Sequence, residues 1–258
     1  VFSLGGAFLI LAGFALAADG NSQFLLSGLS ELVEPLAPWV FLLLAIGFMT
    51  KTAAIGLHIC LPGAHAEADP DVSPMVSGIV LKAGLFGLFM LLINMGKQTL
   101  YGVELNHVLM WIGALSALIG NLMAAFQEDA KRLLAYSSIG QMGLLTLALA
   151  VLHQQGLDQY LALIVGGLFV NHLLAKAGLF WLAGIVDRDR IKSWSALAGR
   201  PLLLLLFGAL LAALVGLPPF PGFWAKWELV MQMAAGGLYA RLARLQFNDR
   251  GGGIAGAA

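Results

Sequence analysis

Four lysines, Lys51, Lys82, Lys176 and Lys226, fall inside stretches of sequence that are otherwise almost wholly apolar. A lysine at the centre of a membrane helix costs roughly 2.5–3.5 kcal/mol, so four together cost on the order of 10–14 kcal/mol. Snorkelling offers an escape when the residue is near a helix end. Lys82 stands eight residues past Pro74, about 12 Å along a helix axis, too deep for easy escape. Lys51 is about as far from either end of its stretch, and Lys176 is nearer one end. Burial disfavours the charged form of an amine, which lets a lysine exchange its proton near working pH. A row of such lysines, with water between them, can relay protons. His172 lies four residues before Lys176, with Asn171 beside it. Imidazole and amine therefore share one helix face and make a second relay pair.

An absence sharpens this reading. Apart from Glu228, no apolar stretch contains a carboxylate at its interior. Lys51 and Lys82 are therefore expected to pair with backbone and water, or with an acid on sequence beyond this chain. His58 and His65 flank Leu61-Pro62 and are expected to cap or hydrogen-bond loop backbone, while His107 and His153 sit at segment ends with no specific role. If the lysines form a relay they should point inward, with gaps of roughly 6–12 Å that a few waters bridge. Snorkelling would instead direct them outward at two levels.

The elements that must position these residues are membrane helices. A crossing needs about 20 apolar residues, and about seven segments qualify, near 1–18, 38–60, 74–95, 106–126, 132–152, 160–185 and 202–240. The last is interrupted by Leu217-Pro218-Pro219-Phe220-Pro221-Gly222. It is either two helices joined by a tight turn or one discontinuous helix, whose unwound backbone must then be buried or line a wet cavity. Residues 241–258, ending in a run of Gly and Ala, are expected to be a disordered tail. Lys131, Arg132, Arg188, Arg190, Lys192 and Arg200 cluster in loops after the second, fourth and sixth segments, against Lys97 alone in the others. That asymmetry puts the first set on the cytoplasmic side, the other side facing the periplasm in a bacterium. Gly47-Phe48-Met49-Thr50-Lys51 is echoed by Gly222-Phe223-Trp224-Ala225-Lys226. The copies fall five segments apart, as in inverted repeats with broken helices.

Composition closes off other classes. The chain of 258 residues is 60% hydrophobic and 11% charged with zero net charge, and its mean hydropathy is +0.88. A soluble domain carries about 25% charged residues. Nothing points to nucleic acid. The single cysteine, Cys60, excludes an internal disulfide and Cys-rich zinc or iron–sulfur ligation. No flavin or haem pattern is present, so no cofactor is expected. The opening at Val1 lacks a basic region and cleavage site, which reads as a piece of a longer polypeptide rather than a signal peptide.

Five motifs in order then resemble one family. They are Lys51-Thr-Ala-Ala-Ile-Gly-Leu-His58-Ile-Cys-Leu61-Pro62-Gly-Ala-His65, set against K-x(6)-H-x-W-L-P-x-A-H; Val72-Ser73-Pro74 with Leu81-Lys82-Ala83-Gly84; Asp129 to Gly143; His172-x(3)-Lys176-Ala-x-Leu-Phe180; and Gly216-x-Pro218-Pro219-x(2)-Gly222-Phe223-x(2)-Lys226. The family is that of the antiporter-like membrane subunits shared by respiratory complex I, Mrp-type Na⁺/H⁺ antiporters and membrane hydrogenases. The resemblance implies an all-α, polytopic helix bundle with inverted repeats and discontinuous helices carrying Lys51 and Lys226. It implies a proton axis through Lys51, Lys82, His172, Lys176 and Lys226, and a glutamate for Lys51 on a helix preceding those present. It also implies other membrane subunits as partners, with protons and a sodium ion as candidate cargo. Ala53 stands where many relatives have proline, which makes the break beside Lys51 less secure, and Cys60 stands where they have tryptophan.

Overall fold

The computed structural model describes residues 2–20, 26–32, 35–69, 72–186, 190–191, 194, 197 and 199–251, with side-chain surroundings omitted for 2, 19–20, 26–27 and 237–251. The chain is a helix bundle with one two-stranded hairpin, Thr99–Leu100 against Val103–Glu104. Four helical stretches are long and apolar enough to cross a membrane: Val72–Met95, Leu105–Ala125, Ala130–Gln155 and Asp158–Val186. Their ends lie within about three residues of the expected segments, because periodic apolar runs bounded by Gly and charged residues mark such helices well. This is an integral, multi-pass membrane chain.

Its helices are α1 (Phe2–Gly20), α2 (Leu36–Lys51), α3 (Cys60–Glu67), α4 (Val72–Met75), α5 (Leu81–Met95), α6 (Leu105–Ala125), α7 (Ala130–Gln155), α8 (Gly167–Val186), α9 (Pro201–Val215) and α10 (Pro221–Gly251). A π turn, Val76–Val80, joins α4 to α5, and another, Ala162–Gly166, leads into α8. The tail expected from residue 241 falls partly in α10, and 252–258 lie outside the described residues, as do Arg188 and Lys192.

Helix α7 shows how the sequence sets such elements. Asp129 caps its start by accepting from the Arg132 N–H at 2.8 Å. Gly156, at φ 66°, closes it in the left-handed conformation. Against it lies α6, and a Cβ built on Gly120 would stand 2.5 Å from Gly140 N, so only glycine lets the backbones come this close.

Two helices are discontinuous. The expected segment 38–60 stops at Lys51, and residues 52–59 are unwound before α3 resumes at Cys60. The apolar run continues through the break, which is why hydropathy alone misses it. The break forms without the family's proline: Ala53 adopts φ 55° and Gly56 φ 87°, and Thr52 Oγ1 donates to Met49 O at 3.1 Å. The second discontinuity is at residues 216–220, between α9 and α10. Helix α9 has 15 residues, about 22 Å at helical rise, which falls short of the roughly 30 Å hydrocarbon core. Leu210 meets Gly178, Gly222 meets Asn171, Ala225 meets Gly167 and Gly236 meets Gln155, so α9 and α10 run in one direction and form one broken helix rather than two crossings joined by a surface turn. Both GFxxK copies lie at breaks, but Lys51 precedes its break and Lys226 follows its own.

The basic loops gather at one end. Ile191 N donates to Glu128 O at 3.0 Å, and Lys131 Nζ donates to Ala68 O at 3.1 Å. That places the loops after α3, α6 and α8 together.

Candidate functional site

The middle of the bundle holds a knot of polar groups where α5, α7 and α8 meet. Lys82 is the second residue after the first π turn, whose wider winding has Leu81 N–H bonding Val76 O. Its side chain is 4% exposed. Nζ donates to Ser77 O at 2.6 Å and stands 2.7 Å from His172 Nδ1. A single proton can occupy that short gap from either side.

One turn further along α8, Lys176 is fully enclosed, at 0% exposure. Its Nζ donates to Leu134 O at 2.6 Å and to Ser137 Oγ at 3.0 Å. Leu134 O also accepts from Ser138 Oγ at 3.0 Å, and Ser138 Oγ lies 3.2 Å from Ser77 Oγ. Lys176 and Lys82 are thus linked through Leu134, Ser138 and Ser77. The snorkelling expectation fails for both, since neither amine reaches the surface.

The broken helix α9–α10 adds the next station. Its start leaves carbonyls at the end of α9 without helical partners, and side chains take them up. Asn171 Nδ2 donates to Ala213 O at 2.7 Å, while Lys226 Nζ donates to Leu214 O at 3.0 Å and Val215 O at 2.8 Å. Gly216, at φ 87°, closes α9. A Cβ there would meet Lys226 Cδ at 3.0 Å, so glycine leaves room for the amine.

Lys51 is apart from this group. It is half-buried at the end of α2, and its Nζ donates to Ser3 O and Ser3 Oγ, both at 2.9 Å. Among the described residues no carboxylate lies within ion-pair distance of any of the four lysines, the recorded pair being His107 with Glu104 at 3.0 Å. Glu228 accepts from Gln232 instead. No three His, Cys, Asp or Glu side chains among the described residues come together as a metal-binding group.

The serines were missed by sequence reasoning. Ser77, Ser137 and Ser138 are polar positions on buried helix faces, and only their burial, at 8% exposure or less, distinguishes them. His58 bonds loop backbone as expected, accepting from Gly56 N at 3.2 Å. His65 does not. It is 1% exposed, stacks on Phe180 at 4.7 Å, and no described group bonds either ring nitrogen. Its place on α3, which turns inward after the break and packs on α7, removes it from the loop surface.

Comparison with known proteins matches residues 1–245 to the transmembrane family described as NADH:quinone oxidoreductase/Mrp antiporter. The chain is 35% identical to hydrogenase-4 component B of Escherichia coli over 241 residues, covering 86% of this chain and 35% of that protein. It is 31% identical to NADH-quinone oxidoreductase subunit N of Desulforudis audaxviator, covering 92% of this chain and 48% of that one. It spans less than half of the length of either relative. Among solved structures, a chain of Thermus thermophilus respiratory complex I with bound NADH superimposes with a TM-score of 0.78 at 31% identity, over 95% of this chain and 53% of that chain. A chain of the Mrp complex from Dietzia sp. shares the fold, with a TM-score of 0.79 at 23% identity over 94% of this chain and 45% of its own.

Proposed function

Since this chain belongs to the NADH:quinone oxidoreductase/Mrp antiporter transmembrane family, we propose that it is the proton-conducting centre of a membrane subunit in a complex I-like, Mrp-like or hydrogenase assembly. Protons pass along Lys51, Lys82, His172, Lys176 and Lys226. The single observation that carries this reading is the buried contact of Lys82 with His172 at 2.7 Å, one turn from a fully buried Lys176. Two groups that both exchange protons share one hydrogen bond out of contact with solvent, and serines continue the connection. A scaffold would gain nothing from enclosing two lysines and a histidine without a carboxylate.

In this reading the two broken helices belong to inverted repeats, each contributing a half-channel, and the protein resides in a bacterial inner membrane with Lys131 and Arg132 on the cytoplasmic side. Its partners are the other membrane subunits of the assembly. Lys51 takes its carboxylate partner from a helix outside this sequence. Protons are the cargo, and sodium ions are the second candidate.

The test is Lys176→Met in the full-length subunit within its assembled complex, reconstituted into liposomes with an internal pH dye. Proton uptake is expected to fall about a hundredfold, the scale of a lost acid–base group, while the complex still assembles. Unchanged uptake would leave the non-conducting, anchoring role as the better account.

A further inference from the structure

A buried titratable side chain stands on the same stripe without any part in the pathway so far. His172, Lys176 and Phe180 are spaced four apart along α8 and share one face. His65 lies stacked on Phe180, with ring centroids 4.7 Å apart and planes 19° apart. The imidazole therefore sits one turn beyond Lys176. Both of its nitrogens are buried without a partner among the described residues, and Ser73 Oγ, on α4 against α8, is in the same condition. A buried polar atom left unsatisfied is destabilising, and sites of this kind are met by ordered water. Beyond His65, α3 ends at Glu67, where Ala68 O accepts from Lys131. The ring stands between the Lys176 amine and the end of the molecule where the basic loops gather.

Resting on the relay reading above, we propose that His65 is a further proton carrier, joined to Lys176 by ordered water and passing protons toward the Lys131 end of the bundle. One nitrogen takes a proton from water as the water takes one from the Lys176 ammonium. The other nitrogen then releases its proton to water on the far side. One N–H bond breaks as another forms, and no electrons change hands. Because the chain's break turns α3 inward, this branch leaves the main axis at Lys176 rather than continuing to Lys226.

His65→Phe keeps a ring on Phe180 and removes both nitrogens. In the assembled complex in liposomes, proton transport is expected to fall at least about tenfold, with assembly unchanged. If Lys176→Met is inactive and His65→Phe transports normally, this inference is overturned while the relay reading stands. Normal transport in both variants overturns both. Should His65→Phe fail to assemble, the unmodified complex decides: an experimental map that resolves waters is expected to show one within about 3.2 Å of a His65 ring nitrogen. A dry ring, packed only by apolar atoms, would sink the proposal.

Discussion

The centre of the bundle and the Lys51 end use the same residue type in opposite ways. At the centre, Lys82 and Lys176 are enclosed, and their amines are bonded by groups from the first π turn, α7 and α8. At the Lys51 end the amine is half-buried and held by one residue, Ser3, at the start of α1. The lesson is one of completeness. The central network closes on itself within this chain, whereas among the described residues the Lys51 amine is hydrogen-bonded from α1 alone, with Gly84 of α5 packed on the Lys51 Cβ. The carboxylate proposed for Lys51 would complete that site as the second half of an ion pair.

Three substitutions can break or sharpen this contrast in the full-length subunit. Lys51→Ala is expected to abolish or strongly reduce proton transport, by about tenfold or more, with assembly intact. Normal pumping in that variant would cut Lys51 out of the pathway and leave the centre to work alone. Ser138→Ala removes the hydroxyl between Leu134 O and Ser77 Oγ. It should cost about 1 kcal/mol of stability and slow transport several-fold, measured by thermal unfolding in detergent and by dye uptake. If it leaves both unchanged, the link between Lys176 and Lys82 does not run through the serines. Ser3→Ala takes one of two bonds from an exposed, solvated contact. Less than about a twofold change in transport is expected. A larger loss would mean that the Lys51 end is as closely built as the centre.

Much of this was legible in the sequence, and the parts that were not share a cause. Helix type and extent follow from the length of uninterrupted apolar runs, and the break at residues 216–220 is announced by its prolines. The break after Lys51 carries no such residue at Ala53, so its place came from family resemblance alone, and its backbone, with Ala53 at φ 55°, had to be seen. The four lysines and His172 stood out because a charge or imidazole in an apolar run is conspicuous. Ser77, Ser137 and Ser138 were not, because small hydroxyls are common on helix faces that do nothing. His65 was misread because its neighbours in sequence, Leu61-Pro62 and Glu67, suggest a surface loop, while its neighbour in space, Phe180, is 115 positions away in the chain. Contacts across that distance leave no trace in local pattern.

Lys226 grips the last two carbonyls of α9, where that helix's dipole leaves partial negative charge. Its proton therefore does mechanical as well as electrical duty. While the ammonium is charged, it latches the open end of α9 onto α10 across the unwound residues. When the proton departs, an amine with fewer hydrogens and no charge holds the same two oxygens far less firmly, and the hinge at Gly216 is free to shift. If the proposed relay runs through Lys226, a hydrogen ion passing this point is converted into slack or tension in that joint, and force on the joint is converted back into a preference for holding or shedding the ion.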